Sequence, residues 1–262
     1  MKETTGRVFV VVVVVALVIC SSVSFSKNNV CVESTLQSTF ESQSLRALAN
    51  EKEFKEHNIV FIKDVFDQAY FRVLKDGVLG HLNKGTMKRN NAFTSVRRAM
   101  TVKASDLRDE KNARDLYYSK FFIKDLRRMT GLPLENVSCN DEASMNVLVY
   151  NKPNDFISWH HDPNHYKGRR LTVLISLVNE NAREPDKLSE SELQYILDGK
   201  QHSIKMPPKS ILVFDGSKIK HRATSIGEGD TRIVLSFTYC DVCREGLMGY
   251  MFKKIKELVL GY

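Results

Sequence analysis

The feature that most constrains this chain is the run "RLTVLISLVNE", residues 170–180. Its apolar, β-branched character reads as a buried strand, and a strand of that kind needs other layers to cover it. Around it the periodicity settles the class. From about residue 143 the pattern is that of short strands. "ASMNVLVY" alternates, with Met145, Val147 and Val149 on one face. "SILVF" and "TRIVLSFTY" are further strand candidates, and Asp198-Gly199 stands between two such runs as a hairpin turn. Before 143 the signals are mainly helical, over 45–57, about 67–83 and 105–130, with "NIVFIKDVF" as one early strand. Ser105 is the expected cap of the third helix, and Gly131 and Pro133 its stop. "REGLMGYMFKKIKELVLGY" reads as a closing amphipathic helix. Helices, then strands, then a helix predict an α+β chain whose helices buttress an antiparallel sandwich or barrel.

At the mouth of the buried strand stands "SWHHDP". Polar side chains against a core cost free energy unless something satisfies them, and that is either hydrogen bonds or a metal. On extended backbone His160 and Asp162 point the same way, and His161 points opposite. His221 follows a later strand and precedes a Gly-bearing turn. Two histidines and one carboxylate form the facial triad of non-haem Fe(II), with positions left open for a co-substrate and O2. An H-x-D triplet alone is common in surface turns. Arg232, at the start of the last strand, adds weight, because a guanidinium there is suited to pairing with a carboxylate. Tyr150 lies on a neighbouring strand, and Thr172 and Ser176 share a face of the strand after Asp162.

The first 26 residues differ from the rest. "MKETTGR" is short and basic, residues 8–20 are apolar, and "SSVSFS" supplies small residues. These are the parts of a secretory signal. An uncleaved anchor through residues 8–25 is the alternative, since a spanning helix needs about 20 apolar residues. Either way the expected location is the secretory pathway, in the ER or Golgi lumen or outside the cell. Residues 27–44 are a polar linker, 45–138 a helical part of the catalytic domain, 139–243 its core and 244–262 the C-terminal helix. Cys31, Cys139, Cys240 and Cys243 remain after a cleaved signal, an even number that permits disulfides. Asn136-Val137-Ser138 is a glycosylation sequon. The net charge of +8 permits an acidic partner without naming one.

The stretch from Tyr150 to Tyr239 resembles the catalytic core of the Fe(II)/2-oxoglutarate-dependent dioxygenases, and among them is most similar to the prolyl 4-hydroxylase type. "YNKPNDFISWHHDP", "GRRLTVLISLVNE" and "PPKSILVFDGSKIKHRATSIGEGDTRIVLSFTY" carry the likeness. The resemblance implies a double-stranded β-helix, or jelly-roll, with His160, Asp162 and His221 as iron ligands. It implies Arg232 as the partner of the distal carboxylate of 2-oxoglutarate, with Tyr150 nearby; Thr172 and Ser176 are further candidates for contacting the co-substrate from their shared strand face, and ascorbate is the expected reductant. It further implies a hydroxylase that oxidises a C–H bond of a peptide or small molecule and releases succinate and CO2. Two departures stand out. Collagen-type prolyl hydroxylases commonly carry Lys where Arg232 stands, and many members carry Ser where Val234 stands. Three other readings compete. A nucleic-acid demethylase of the FTO or AlkB kind would use the basic stretch 84–103 against phosphates, although a luminal protein seldom meets such a substrate. A non-catalytic β-sandwich leaves the joint presence of the triad and Arg232 without a purpose, and a zinc hydrolase has no need of Arg232.

Overall fold

The computed structural model describes residues 51–84, 96–244 and 246. The chain divides into two compact units, Met1–Thr35 and Leu36–Tyr262, and every described residue lies in the second. The signal or anchor, the polar linker, and nearly all of the closing helix of 244–262 therefore lie outside the described residues. Among the described residues no helix is long and apolar enough to cross a membrane.

Helix α1 (Glu51–His57) leads into β1 (Ile59–Ile62) and α2 (Gln68–Lys84). Strand β2 (Met100–Val102), helices α3 (Lys111–Tyr117) and α4 (Lys120–Thr130) and the short β3 (Glu135–Asn136) follow. Eight strands complete the order: β4 (Met145–Tyr150), β5 (Ile157–His160), β6 (Arg170–Glu180), β7 (Leu193–Leu197), β8 (Lys200–Ile204), β9 (Ile211–Asp215), β10 (His221–Ala223) and β11 (Thr231–Cys240). Two antiparallel sheets result. The larger has the order β1-β9-β6-β11-β4-β2, with β3 paired to β11, and the smaller has the order β5-β10-β7-β8. They face each other as an open sandwich and do not close into a barrel.

Strand β6 lies in the interior of the larger sheet, between β9 and β11, and all but its last residue is buried. Its two faces serve different layers. Leu171, Val173, Ile175 and Leu177 pack with Phe54, Leu74, Leu116 and Phe122 under the helices. Leu174 turns the other way and meets Leu212, Phe214 and Val234, with Leu193 of the smaller sheet. This explains why Leu171–Val178 is mainly apolar: neither face reaches water, and the polar Thr172 and Ser176 within it each have a hydrogen-bond partner. Each such apolar side chain contributes about 1.5–3 kcal/mol on burial.

The predicted helix over 105–130 is two helices. The Glu110 carboxylate accepts from the backbone N–H groups of Asn112 and Ala113 and starts α3. The Ser119 hydroxyl accepts from Phe122 N and starts α4. Both are side-chain oxygens that satisfy orphan N–H groups, and a cap in mid-pattern ends one helix and opens the next. Gly131 closes α4 in the left-handed conformation, at φ 67°, as its position predicts. The basic stretch 84–103, expected to be irregular, ends in β2. Before β2, Arg97 bridges Ile157, and Ser158 N–H donates to Val96 O at 2.9 Å. Asp198 and Gly199, at φ 49° and 72°, make the β7–β8 hairpin turn that their residue types require.

Candidate metal centre

Two strands and one loop bring the predicted ligands together. His160 ends β5, Asp162 lies two residues later, and His221 opens β10. The β5–β10 ladder pairs His221 with His160 directly, so the rings meet with centroids 4.2 Å apart. One ligand atom from each of His160, Asp162 and His221 lies within 4.8 Å of the others. Asp162 Oδ1 stands 3.7 Å from His160 Nε2 and 3.9 Å from His221 Nε2. His161 is exposed, and it is not among the three residues whose ligand atoms come together.

The donor chemistry suits a metal. His160 Nδ1 lies 2.8 Å from Ser158 O, and His221 Nδ1 lies 2.9 Å from Ile219 O. A carbonyl accepts, so the proton belongs on each Nδ1 and both Nε2 lone pairs face the carboxylate. Burial lowers the proton affinity of the His221 ring, and His160 beside it acts the same way, outweighing the pull of Asp162. For Asp162 burial alone would raise the pKa. The Arg170 guanidinium, with His221 and the Thr172 hydroxyl, reverses that and holds the carboxyl well below the ordinary carboxylate range. A neutral imidazole and an ionised carboxylate are the states that a divalent cation needs.

Asp162 is seated by residues that the motif did not announce. Thr172 Oγ1–H donates to Oδ2 at 2.5 Å, and Arg170 Nη1 stands 3.1 Å from the same oxygen. The Arg170 N–H is not aligned on that line, so the contact is an ion pair rather than a directed hydrogen bond. Asp162 N–H donates to Gly216 O at 2.8 Å. A Cβ at Gly216 would lie 2.1 Å from Oδ2, so only glycine lets β9's exit pass this close. Arg170 is the residue that sequence reasoning missed. Its signal was available, because an arginine opening a buried strand needs a reason, as Arg232 does.

Arg232 stands on β11 opposite Tyr150 of β4 and Asn179 of β6. It is 2% exposed. Its guanidinium carbon lies 5.0 Å from the Tyr150 ring centroid, and its Nη1 has no hydrogen-bond partner. Burial lowers its pKa, and Tyr150 opposes that shift. A buried guanidinium nitrogen without a partner is costly and invites an anion. Tyr150 packs with Ala223 of β10 and Ile157 of β5, the strands that carry His221 and His160, so the ring beside Arg232 adjoins those two strands. Ser176 lies on the predicted inner face, but its hydroxyl donates to Met206 O at 3.0 Å. Thr172 is occupied with Asp162.

Cys31 lies outside the described residues, whereas Cys139, Cys240, Cys243 and the sequon are described. Cys240 and Cys243 form a disulfide, and Cys139 is also disulfide-bonded. Asn136 sits in β3, and its side-chain amide donates to Tyr117 O at 2.9 Å. The nitrogen that a glycan would need is engaged in the folded chain.

No protein-family model matches the chain, and no curated protein matches it in sequence. Solved structures do match. A prolyl-4-hydroxylase from Pseudomonas putida superposes with a TM-score of 0.52 at 16% identity, covering 76% of this chain and 99% of that one. A prolyl hydroxylase from Trichoplax adhaerens, in complex with a hypoxia inducible factor oxygen degradation domain peptide fragment, gives 0.54 at 16%, covering 73% and 87%. The epimerase SnoN, in complex with Fe3+, alpha ketoglutarate and nogalamycin RO, gives 0.59 at 12%, covering 73% and 82%. The described part of this chain thus has the double-stranded β-helix fold of the Fe/2-oxoglutarate oxygenases.

Proposed function

We propose that this protein is an Fe(II)- and 2-oxoglutarate-dependent oxygenase that hydroxylates a C–H bond of a peptide or small-molecule substrate. The observation that supports the reading is the joint presence of both halves of the requirement. His160, Asp162 and His221 offer three ligand atoms within 4.8 Å, and Arg232 presents a buried nitrogen with no partner. Either half alone has ordinary explanations. Together they match a metal flanked by a dicarboxylate, and a zinc hydrolase or a binding module would leave Arg232 unused.

His160, Asp162 and His221 would hold the iron, and the iron when bound supplies the oxidative chemistry that consumes 2-oxoglutarate and O2 and yields succinate and CO2. The chain's own part is binding and exclusion. The backbone carbonyls of Ser158 and Ile219 fix the imidazole tautomers. Arg232 would hold the distal carboxylate and so orient the keto-acid end toward the triad. Tyr150 fills the wall beside it, with Ala223, Ile226 and Ile157 as a dry lining, which keeps water from the reacting atoms. The backbone of Val96 and Arg98 runs alongside β5, so this flank of the basic stretch borders the strand that bears His160. That position favours a substrate-contacting loop over a phosphate-binding surface remote from the site.

The neighbours bind substrates of two classes, a peptide in one case and nogalamycin RO in another, and both stay open here. Ascorbate is proposed as reductant. From residues 1–26 the proposed place of action is the lumen of the secretory pathway. The test is succinate release from 2-oxoglutarate with Fe(II) and ascorbate, across proline-containing peptides, small metabolites and methylated oligonucleotides. Substrate-stimulated succinate with an oxygen-added product supports the reading. Formaldehyde release from the oligonucleotides would favour a demethylase instead. No turnover with or without any substrate, from protein that binds neither Fe(II) nor 2-oxoglutarate, would overturn it.

A further inference from the structure

We infer that Arg170 is a positioning residue that keeps Asp162 a one-oxygen ligand, and so decides how many coordination positions the centre leaves open. The inference rests on the proposed metal at the triad. A carboxylate can give one or both oxygens to a cation. Here the two oxygens have different surroundings. Oδ1 faces both imidazole nitrogens, at 3.7 and 3.9 Å. Oδ2 faces away from them, toward the Thr172 hydroxyl at 2.5 Å and Arg170 Nη1 at 3.1 Å. Swinging Oδ2 toward a metal would break the hydrogen bond and pull the anion from its counter-charge.

The guanidinium cannot follow such a swing. Arg170 is 8% exposed, and its Nη2 donates to Thr238 Oγ1 at 3.1 Å. The Thr238 hydroxyl in turn donates to Ala143 O at 2.8 Å, and Thr238 N–H donates to Ser144 O at 2.9 Å. The Arg170 backbone sits opposite Cys240 at the end of the β6–β11 ladder. One planar group thus spans from the ligand carboxylate to β11, and its second nitrogen is what holds the first in place. Lysine has a single ammonium on a flexible stem and lacks the planar fork that fixes two nitrogens on two partners at once. The consequence is chemical. Two imidazoles and one oxygen leave about three positions of an octahedral ion for a bidentate keto acid and O2, whereas a two-oxygen Asp162 leaves about two, too few for both at once.

Mn(II) alone is a suitable probe, because water-proton relaxation counts its exchangeable bound waters. The parent protein without 2-oxoglutarate is expected to carry about three. Arg170→Met should lose about one, and Arg170→Lys should fall between. Thr172→Val removes the other contact to Oδ2 without touching the guanidinium, and should shift the count in the same direction. It decides the matter if Arg170→Met does not fold, as judged by near-ultraviolet circular dichroism. A parent that binds no Mn(II) overturns the proposed metal site, and this inference with it. A parent with about three waters and folded variants with the same number overturn the role of Arg170 while leaving the metal site standing, even if their affinity is lower.

Discussion

Gly216→Ala is the substitution whose effect the geometry specifies most closely. The added methyl carbon would lie 2.1 Å from Asp162 Oδ2, 2.7 Å from Cγ and 2.8 Å from Cβ. Ordinary contact requires the carboxylate to retreat by about 1 Å, because repulsion rises steeply inside the van der Waals distance. The retreat costs the Thr172 hydrogen bond, since a bond of 2.5 Å does not survive a shift of that size. A hydrogen bond to a charged group is worth about 1.5–3 kcal/mol. At about 1.4 kcal/mol per tenfold, the affinity for a divalent ion should fall about 10- to 100-fold. Anaerobic isothermal titration with Fe(II) reads this directly. Gly80→Ala is the control. It sits on α2, where an added Cβ meets nothing within 4 Å, and should stabilise the fold by about 0.5–1 kcal/mol with iron affinity unchanged. If Gly216→Ala folds and binds iron within about twofold of the parent, the carboxylate is not seated as described.

Other outcomes are equally specific. His161→Ala should leave Fe(II) affinity unchanged in the same titration, since its side chain is exposed and outside the cluster of three ligand atoms, whereas His160→Ala should abolish it. Leu174→Ala should cost about 2–5 kcal/mol in chemical denaturation, because the side chain fills the space between the sheets. Gly199→Ala should cost about 1 kcal/mol, as the position is left-handed at φ 72°, with no change in iron binding. Protein made in a glycosylating host should carry Asn136 bare by mass spectrometry, and a glycan there would contradict the engaged amide.

The clustering of His160, Asp162 and His221 was legible because its signal is local or simple. His160 and Asp162 are two apart on extended chain, and two-residue periodicity alone puts them on one side. His221 needed only a later strand. Arg232 was legible because a charge on an apolar strand asks for a partner. What was not legible depends on contacts far apart in sequence. Arg170 reaches Asp162 through the loop 163–169 and reaches Thr238 through a strand pairing, and no spacing rule links them. Ser176 lies on the predicted face, but Met206 O, which takes its hydroxyl, arrives from the loop after β8. The helix over 105–130 failed as a single element because its apolar period continues across Tyr118 and Ser119, while two side-chain caps interrupt the backbone. The β2 strand within the basic stretch is three residues long and is set by pairing with β4, which tertiary context decides and local composition does not.

The central claim is that the triad and Arg232 form one site. The most direct measurement is the visible charge-transfer band of the anaerobic protein, titrated with Fe(II) and 2-oxoglutarate together. The expected band needs both components, is absent in His160→Ala, and in Arg232→Met demands about 10- to 100-fold more 2-oxoglutarate, with Fe(II) affinity retained. A parent protein that gives no band, or an Arg232→Met variant that takes up 2-oxoglutarate as readily as the parent, would contradict it.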